Sequence, residues 1–195
     1  MGLCVIEGGG SSSSTEFAKE KWAESNIAFV EKDFNLGSGN DRTVSCSMSD
    51  VLPTGKTLLF AVISAANGSR GGGATISSVS GTNVVVSVGY SYSENVSISI
   101  RGYYATSQVP FSINSASHEY DTRTQVVSAG RIDLDWFTLD TVLPTDAVIV
   151  GYGFKKLNNR TGTLYINGIT NRTPIVNIGS SYNEGVKFTV EAYYI

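Results

Sequence analysis

The stretch VSISIRGYY (Val96–Tyr104) alternates along its whole length, and it returns as VKFTVEAYY (Val186–Tyr194). In the first copy Val96, Ile98, Ile100, Gly102 and Tyr104 share one face, and Ser97, Ser99, Arg101 and Tyr103 the other. In the second, Val186, Phe188, Val190, Ala192 and Tyr194 oppose Lys187, Thr189, Glu191 and Tyr193. Successive side chains of a strand take opposite faces, so each stretch reads as an antiparallel strand with one side on a core. This parity makes Tyr104 and Tyr194 core residues and turns Tyr103 and Tyr193 away from the core.

Working outward, further landmarks recur in the same order. VLPT at Val51–Thr54 returns at Val142–Thr145, VSVG at Val86–Gly89 as VNIG at Val176–Gly179, and SYSENV at Ser91–Val96 as SYNEGV at Ser181–Val186. The offset is 91 residues at the first landmark (51 to 142) and 90 afterwards (86 to 176). A collinear series of this kind is a tandem duplication. The period is too long for a solenoid and suits a small β-sandwich. The expected architecture is therefore all-β, with two tandem antiparallel sandwich domains, Ig-like or jelly-roll-like, over residues 28–105 and 117–195. Residues 106–116 (TSQVPFSINSA) form the linker, with Pro110 as a breaker. Further strands are expected at 57–64, 74–79, 84–88, 132–139, 147–154 and 163–166. Hairpin loops are expected at 67–73 (NGSRGGG) and 158–162.

Residues 1–27 stand outside the repeat. Gly8–Ser14 (GGGSSSS) has the composition of a flexible tether. Thr15–Ser25 predicts a short helix, with Ser13 and Glu16 at capping-box spacing. Ahead of the tether stand Leu3, Cys4, Val5 and Ile6, four apolar residues that are costly to leave in water. They read as a docking peptide that adds a strand to a partner. A frayed terminus is the plainer alternative.

Composition narrows the function classes. Charged residues are 16%, below the usual ~25%, and Lys and Arg form no stripe that would neutralise phosphates, so nucleic acid is not an expected partner. No apolar run has the length of a spanning helix, so no membrane partner is expected. No secretion signal is apparent, and Ile6 breaks the myristoylation pattern that Gly2 begins. The sequons at Asn67, Asn95, Asn159 and Asn171 then read as chance matches in an Asn-, Ser- and Thr-rich chain.

Candidates for chemistry are few. The single His118 has no counterpart in the first repeat, and the two cysteines, Cys4 and Cys46, make no zinc site. Gly68–Gly73 lacks the Lys-Ser/Thr ending of a phosphate loop. Asp133, Asp135 and Asp140 could pair as carboxylates, yet the alternation of IDLDW (Ile132–Trp136) explains the first two as a solvent face. No catalytic, cofactor-binding or metal-binding residue is therefore assigned, and no enzyme activity is expected. Tyr92, Tyr103, Tyr182 and Tyr193 are the candidate contact residues, since tyrosine joins an apolar body to a polar tip. They suit a subunit interface or a glycan-stacking platform.

The whole arrangement resembles the accessory structural proteins of bacteriophage particles, the head fibres, capsid decorations and tail adhesins. The likeness is one of architecture: a short N-terminal arm, a Gly/Ser tether and serial β modules. It implies a non-enzymatic virion component, docked on capsid or tail proteins through Leu3, Cys4, Val5 and Ile6. It also implies a homo-oligomer, a trimer where a fibre or a three-fold position is occupied, and host surface glycans as further partners. A lectin-like pair of carbohydrate-binding modules is the alternative.

Overall fold

The structure is a computed structural model describing residues 14–38, 41–67, 73–89, 96–121, 130–133, 138–157, 164–178 and 187–195. A helix, α1 (Ser14–Asn26), runs directly into β1 (Ile27–Asn35), followed by β2 (Arg42–Ser47), β3 (Phe60–Asn67), β4 (Ala74–Ser80), β5 (Asn83–Val88) and β6 (Ser97–Ala105). The second repeat gives β7 (Asn114–Asp121), β8 (Gly130–Asp133), β9 (Ile149–Leu157), β10 (Leu164–Thr170), β11 (Thr173–Ile178) and β12 (Lys187–Tyr194). The all-β class is as expected, and the described residues form one nearly closed sheet of 12 strands.

Both repeats pair their strands in the same pattern. The first forms the antiparallel triplets β1-β6-β3 and β4-β5-β2, the second β7-β12-β9 and β10-β11-β8. The VLPT segments fold alike as well. Met48 N donates to Thr82 O, and its counterpart Leu139 N to Arg172 O. Leu52 N donates to Met48 O, and Leu143 N to Leu139 O. Pro53 O accepts from Lys56 N, and Pro144 O from Ala147 N. Pro53 and Pro144 are thus structurally equivalent.

Separation into two sandwich domains is not seen in the pairing. The triplet β1-β6-β3 continues into β10-β11-β8 through Ala65↔Tyr165 and Ala66↔Leu164. The triplet β7-β12-β9 continues into β4-β5-β2 through Lys156↔Thr75 and Leu157↔Ala74. These junctions are one pairing repeated, since Ala66 corresponds to Leu157 and Ala74 to Leu164. Ile63 faces Phe154, its own counterpart, where β3 meets β9. A local two-fold relation passes through that pair. The physical reason is edge satisfaction: β3 and β4 would otherwise leave a row of unpaired backbone groups, and the other repeat supplies partners for both.

This topology corrects the loop reading. β3 and β4, and likewise β9 and β10, share no ladder among the described residues, so 67–73 and 158–162 connect different triplets instead of closing hairpins. The tight hairpins are β4–β5, through Gly81-Thr82, and β10–β11, through Asn171-Arg172. Gly81 has φ 61, and Asn171 and Arg172 have φ 47 and 60. Two successive positive φ values suit the right-handed twist of the flanking strands.

Among the described residues, three apolar clusters hold the fold together. The largest joins Cys46, Val84, Val86, Ile98 and Ile100 of the first repeat to Phe154, Leu164, Phe188 and Val190 of the second. Another gathers Leu139, Leu143, Ala147, Ile169 and Ala192 beneath the second VLPT segment. The third lies where the repeats meet and contains Phe60, Val62, Tyr103, Val148, Val150 and Ile195. Helix α1 forms as predicted and enters this third cluster through Ala23, with Trp22 edge-on to Phe111 of the linker at 5.5 Å. The N-terminal region is therefore folded from Ser14 onward. Residues 1–13 lie outside the described residues.

Candidate functional site

The predicted tyrosines come first. Parity places Tyr103 away from the first repeat's core, and that much holds, because Ile98 and Ile100 face inward. Tyr103 is nevertheless only 2% exposed. Its ring stacks on Phe60 at 4.6 Å and tilts against Phe29 at 5.7 Å, and its hydroxyl accepts from Tyr152 N at 3.4 Å. Tyr193, half-buried, stacks on the same Phe60 at 3.9 Å and donates to Glu191 Oε2 at 2.9 Å. Burial raises the pKa of both phenols. The expectation of outward, solvent-facing tyrosines is thus corrected: the outer face of each repeat packs on the other, so Tyr103 and Tyr193 cement the repeats. Tyr104 and Tyr194, expected in the core, are partly buried and pack against its margins. Tyr92 and Tyr182, and the docking residues Leu3, Cys4, Val5 and Ile6, lie outside the described residues.

Other candidates are dispersed. Asp140 is tied to Arg172 at 3.4 Å and accepts from Thr138 Oγ1 at 3.1 Å. Asp133 is a backbone partner of Ile175, and Asp135 lies outside the described residues. His118 meets the Tyr120 ring edge-on at 4.8 Å, and partial burial lowers its pKa despite the adjacent Glu119. Cys46 is buried, which pushes its thiol pKa up and makes it less reactive. Glu191 is a carboxylate only 4% exposed, held by Lys155 Nζ at 2.7 Å and by Tyr193. That arrangement satisfies a buried charge and leaves it engaged.

A groove of about 460 Å³ lies at the ends of β2, β5, β4 and β9, lined among others by Asp41, Arg42, Thr43, Thr75, Ser87 and Lys156. Thr43 is paired with Ser87, Ser87 with Thr75 and Thr75 with Lys156, so one side chain from each of four strands stands in a single cross-strand row. Ser87 and Ser77 hydroxyls share a hydrogen bond of 2.6 Å. Arg42 is fixed at the end of the groove, donating to Leu36 O through Nε at 3.0 Å and Nη2 at 2.6 Å. Val88 and Leu157, also part of its lining, turn their side chains to the core on the opposite face of the sheet. Such a surface offers donors, acceptors and positive charge, with no aromatic platform among the described lining residues.

Sequence reasoning did not reach this site. Each strand shows its alternation, but Thr75 and Lys156 meet only through a ladder between repeats, and nothing local encodes that register. Neither a protein-family model, nor a curated protein, nor a solved structure matches the chain.

Proposed function

We propose that this chain is a non-enzymatic structural component of a bacteriophage particle, a head fibre, capsid decoration or tail-adhesion protein. In this reading residues 1–13 dock on a neighbouring virion protein and the repeats, each a small sandwich, are displayed outward in many copies. The observation that carries it is where the aromatic residues go. Phe29, Phe60, Tyr103 and Tyr193 stack on one another to fuse two repeats around a local two-fold. Fusion of this kind suits a rigid display body. Because that face is already used within the chain, self-association draws on other surfaces, where Phe17, Leu59 and Tyr165 are the exposed large apolar residues among those described. A trimer fits a fibre or a three-fold position.

The test deletes residues 1–13. The shortened chain is expected to melt like the full one and to be missing from purified particles, as judged by gold labelling of a C-terminal tag. A shortened chain that still decorates particles would defeat the docking role. A second reading, a carbohydrate-binding module, is favoured by the polar groove of β2, β5, β4 and β9.

A further inference from the structure

We propose that this groove binds an anionic saccharide, a sugar carrying a carboxylate or sulfate group, with Lys156 as its charged anchor. The inference rests on the carbohydrate-binding reading and names its ligand class and contact residue.

The row Thr43–Ser87–Thr75–Lys156 crosses three interstrand gaps of ~4.8 Å each, a length suited to a short saccharide. Its three hydroxyls both donate and accept, as sugar hydroxyls do. The row ends on an ammonium whose situation is singular. Lys19, Lys32, Lys155 and Lys187 each pair with a carboxylate, Lys56 donates to Thr106 O, and Lys21 sits over the Phe17 ring. Lys156 is exposed and, among the described residues, has no such partner. Asp41, exposed on the same groove, argues against a bare inorganic anion and for a ligand that also brings hydroxyl donors.

The row is not a by-product of duplication. Lys156 belongs to the second repeat and the hydroxyls to the first, so the site exists only where β4 pairs with β9. At the two-fold-related junction the corresponding positions are Arg131, Asn177, Tyr165 and Ala65, a different set. One site per chain follows.

The experiment titrates the full chain by calorimetry with N-acetylneuraminic acid, lactose 3′-sulfate and uncharged lactose. One of the two acidic probes should bind once per chain, which also tells carboxylate from sulfate. Lys156→Ala should weaken it about tenfold and Thr75→Val by a smaller factor, because a hydrogen bond to an ionised group is stronger than a neutral one. Lys21→Ala, which removes the same charge elsewhere, should change nothing. Thermal melts confirm that the variants are folded. Lactose binding that is sensitive to Thr75→Val and indifferent to Lys156→Ala would overturn the anionic ligand and leave the carbohydrate-binding reading standing. Acidic-sugar binding unaffected by Lys156→Ala would overturn the site. No binding by any probe would overturn both.

Discussion

Gly151 and Gly153 hold the seam between the repeats open to their partners. A Cβ on Gly151 would stand 2.7 Å from Phe60 Cζ and 2.9 Å from Tyr103 Cε1, and one on Gly153 would stand 2.6 Å from Val62 Cβ. Their counterparts in the first repeat, at the 91-residue offset, are Phe60 and Val62 themselves. The two-fold relation is thus built from large residues on one side and none on the other. Gly151→Ala is expected to destabilise the chain by ~1–3 kcal/mol, as overpacking does. Phe60→Leu should soften that cost in the double variant, and denaturant melts of the four-member cycle would show it. Strictly additive losses would mean that the two sites do not touch. Tyr103→Ala should cost ~3–5 kcal/mol, as core aromatic truncations do, against ~1 for Tyr103→Phe, which removes only the hydroxyl bonded to Tyr152. At this scale the sequence showed which way each tyrosine points, because alternation is local. What covers an outward face depends on a partner ninety residues away, and alternation is silent about that. His118 adds a pH dependence. Its pKa is lowered in the fold from an ordinary 6.5, so the unfolded chain binds more protons, and stability rises with pH up to that value. His118→Gln should flatten this slope between urea midpoints measured at about pH 5.5 and 7.5. An unchanged slope would show that the imidazole titrates alike in both states.

Arg172 shows how an element is tied down. It occupies a positive-φ position of the β10–β11 turn, where a glycine would be less strained. Its guanidinium crosses to the second VLPT segment, donating to Thr145 O at 2.7 Å and Ala147 O at 3.3 Å and reaching Asp140. The first repeat has Gly81-Thr82 in the equivalent turn, held by two backbone bonds, Met48 N to Thr82 O and Leu58 N to Gly81 O. The strain at Arg172 is therefore offset by anchoring the loop over Leu139 and Leu143. Arg172→Ala keeps the unfavourable φ and loses the anchor, so it should be the worse variant, by ~1 kcal/mol or more, while Arg172→Gly relieves the turn and should recover part of the loss. Equal melting temperatures would mean that the anchor contributes nothing. In this region β10 was legible in part, as 163–166, and α1 was legible from its capping spacing. By contrast, β11 was not among the expected strands, and the strand expected at 132–139 gives way to a 3-10 turn at Leu139. The loops were not legible. Runs such as NGSRGGG announce a change of direction, yet they do not say whether the next strand returns alongside the last or crosses to another triplet.

For the whole molecule, the question is whether a repeat is a unit of folding. Duplication argues that it once was, and the matching hydrogen bonds around Pro53 and Pro144 show that each repeat keeps its own local design. The present structure argues otherwise. Cut from its neighbour, the first repeat would expose the free edges of β3 and β4 and uncover Phe60, Val62 and Tyr103 together. Pairing with a second copy of itself would set Phe60 against Phe60, with no glycine to receive either ring. Pairing two second repeats would set glycine against glycine and leave a void, which costs stability in proportion to its volume. Only the unlike pair fills the seam. Fragments 14–105 and 106–195, made separately, should therefore be poorly folded or self-associated, and mixing them should yield a one-to-one complex with the spectrum of the intact chain. Native mass spectrometry of the mixture would read the stoichiometry directly. A fragment 14–105 that is monomeric, cooperatively folded and indifferent to its partner would show that the shared sheet is an association of finished domains. In that event Gly151 and Gly153 would be free to vary, and the large-to-small complementarity across the two-fold would have no physical cause.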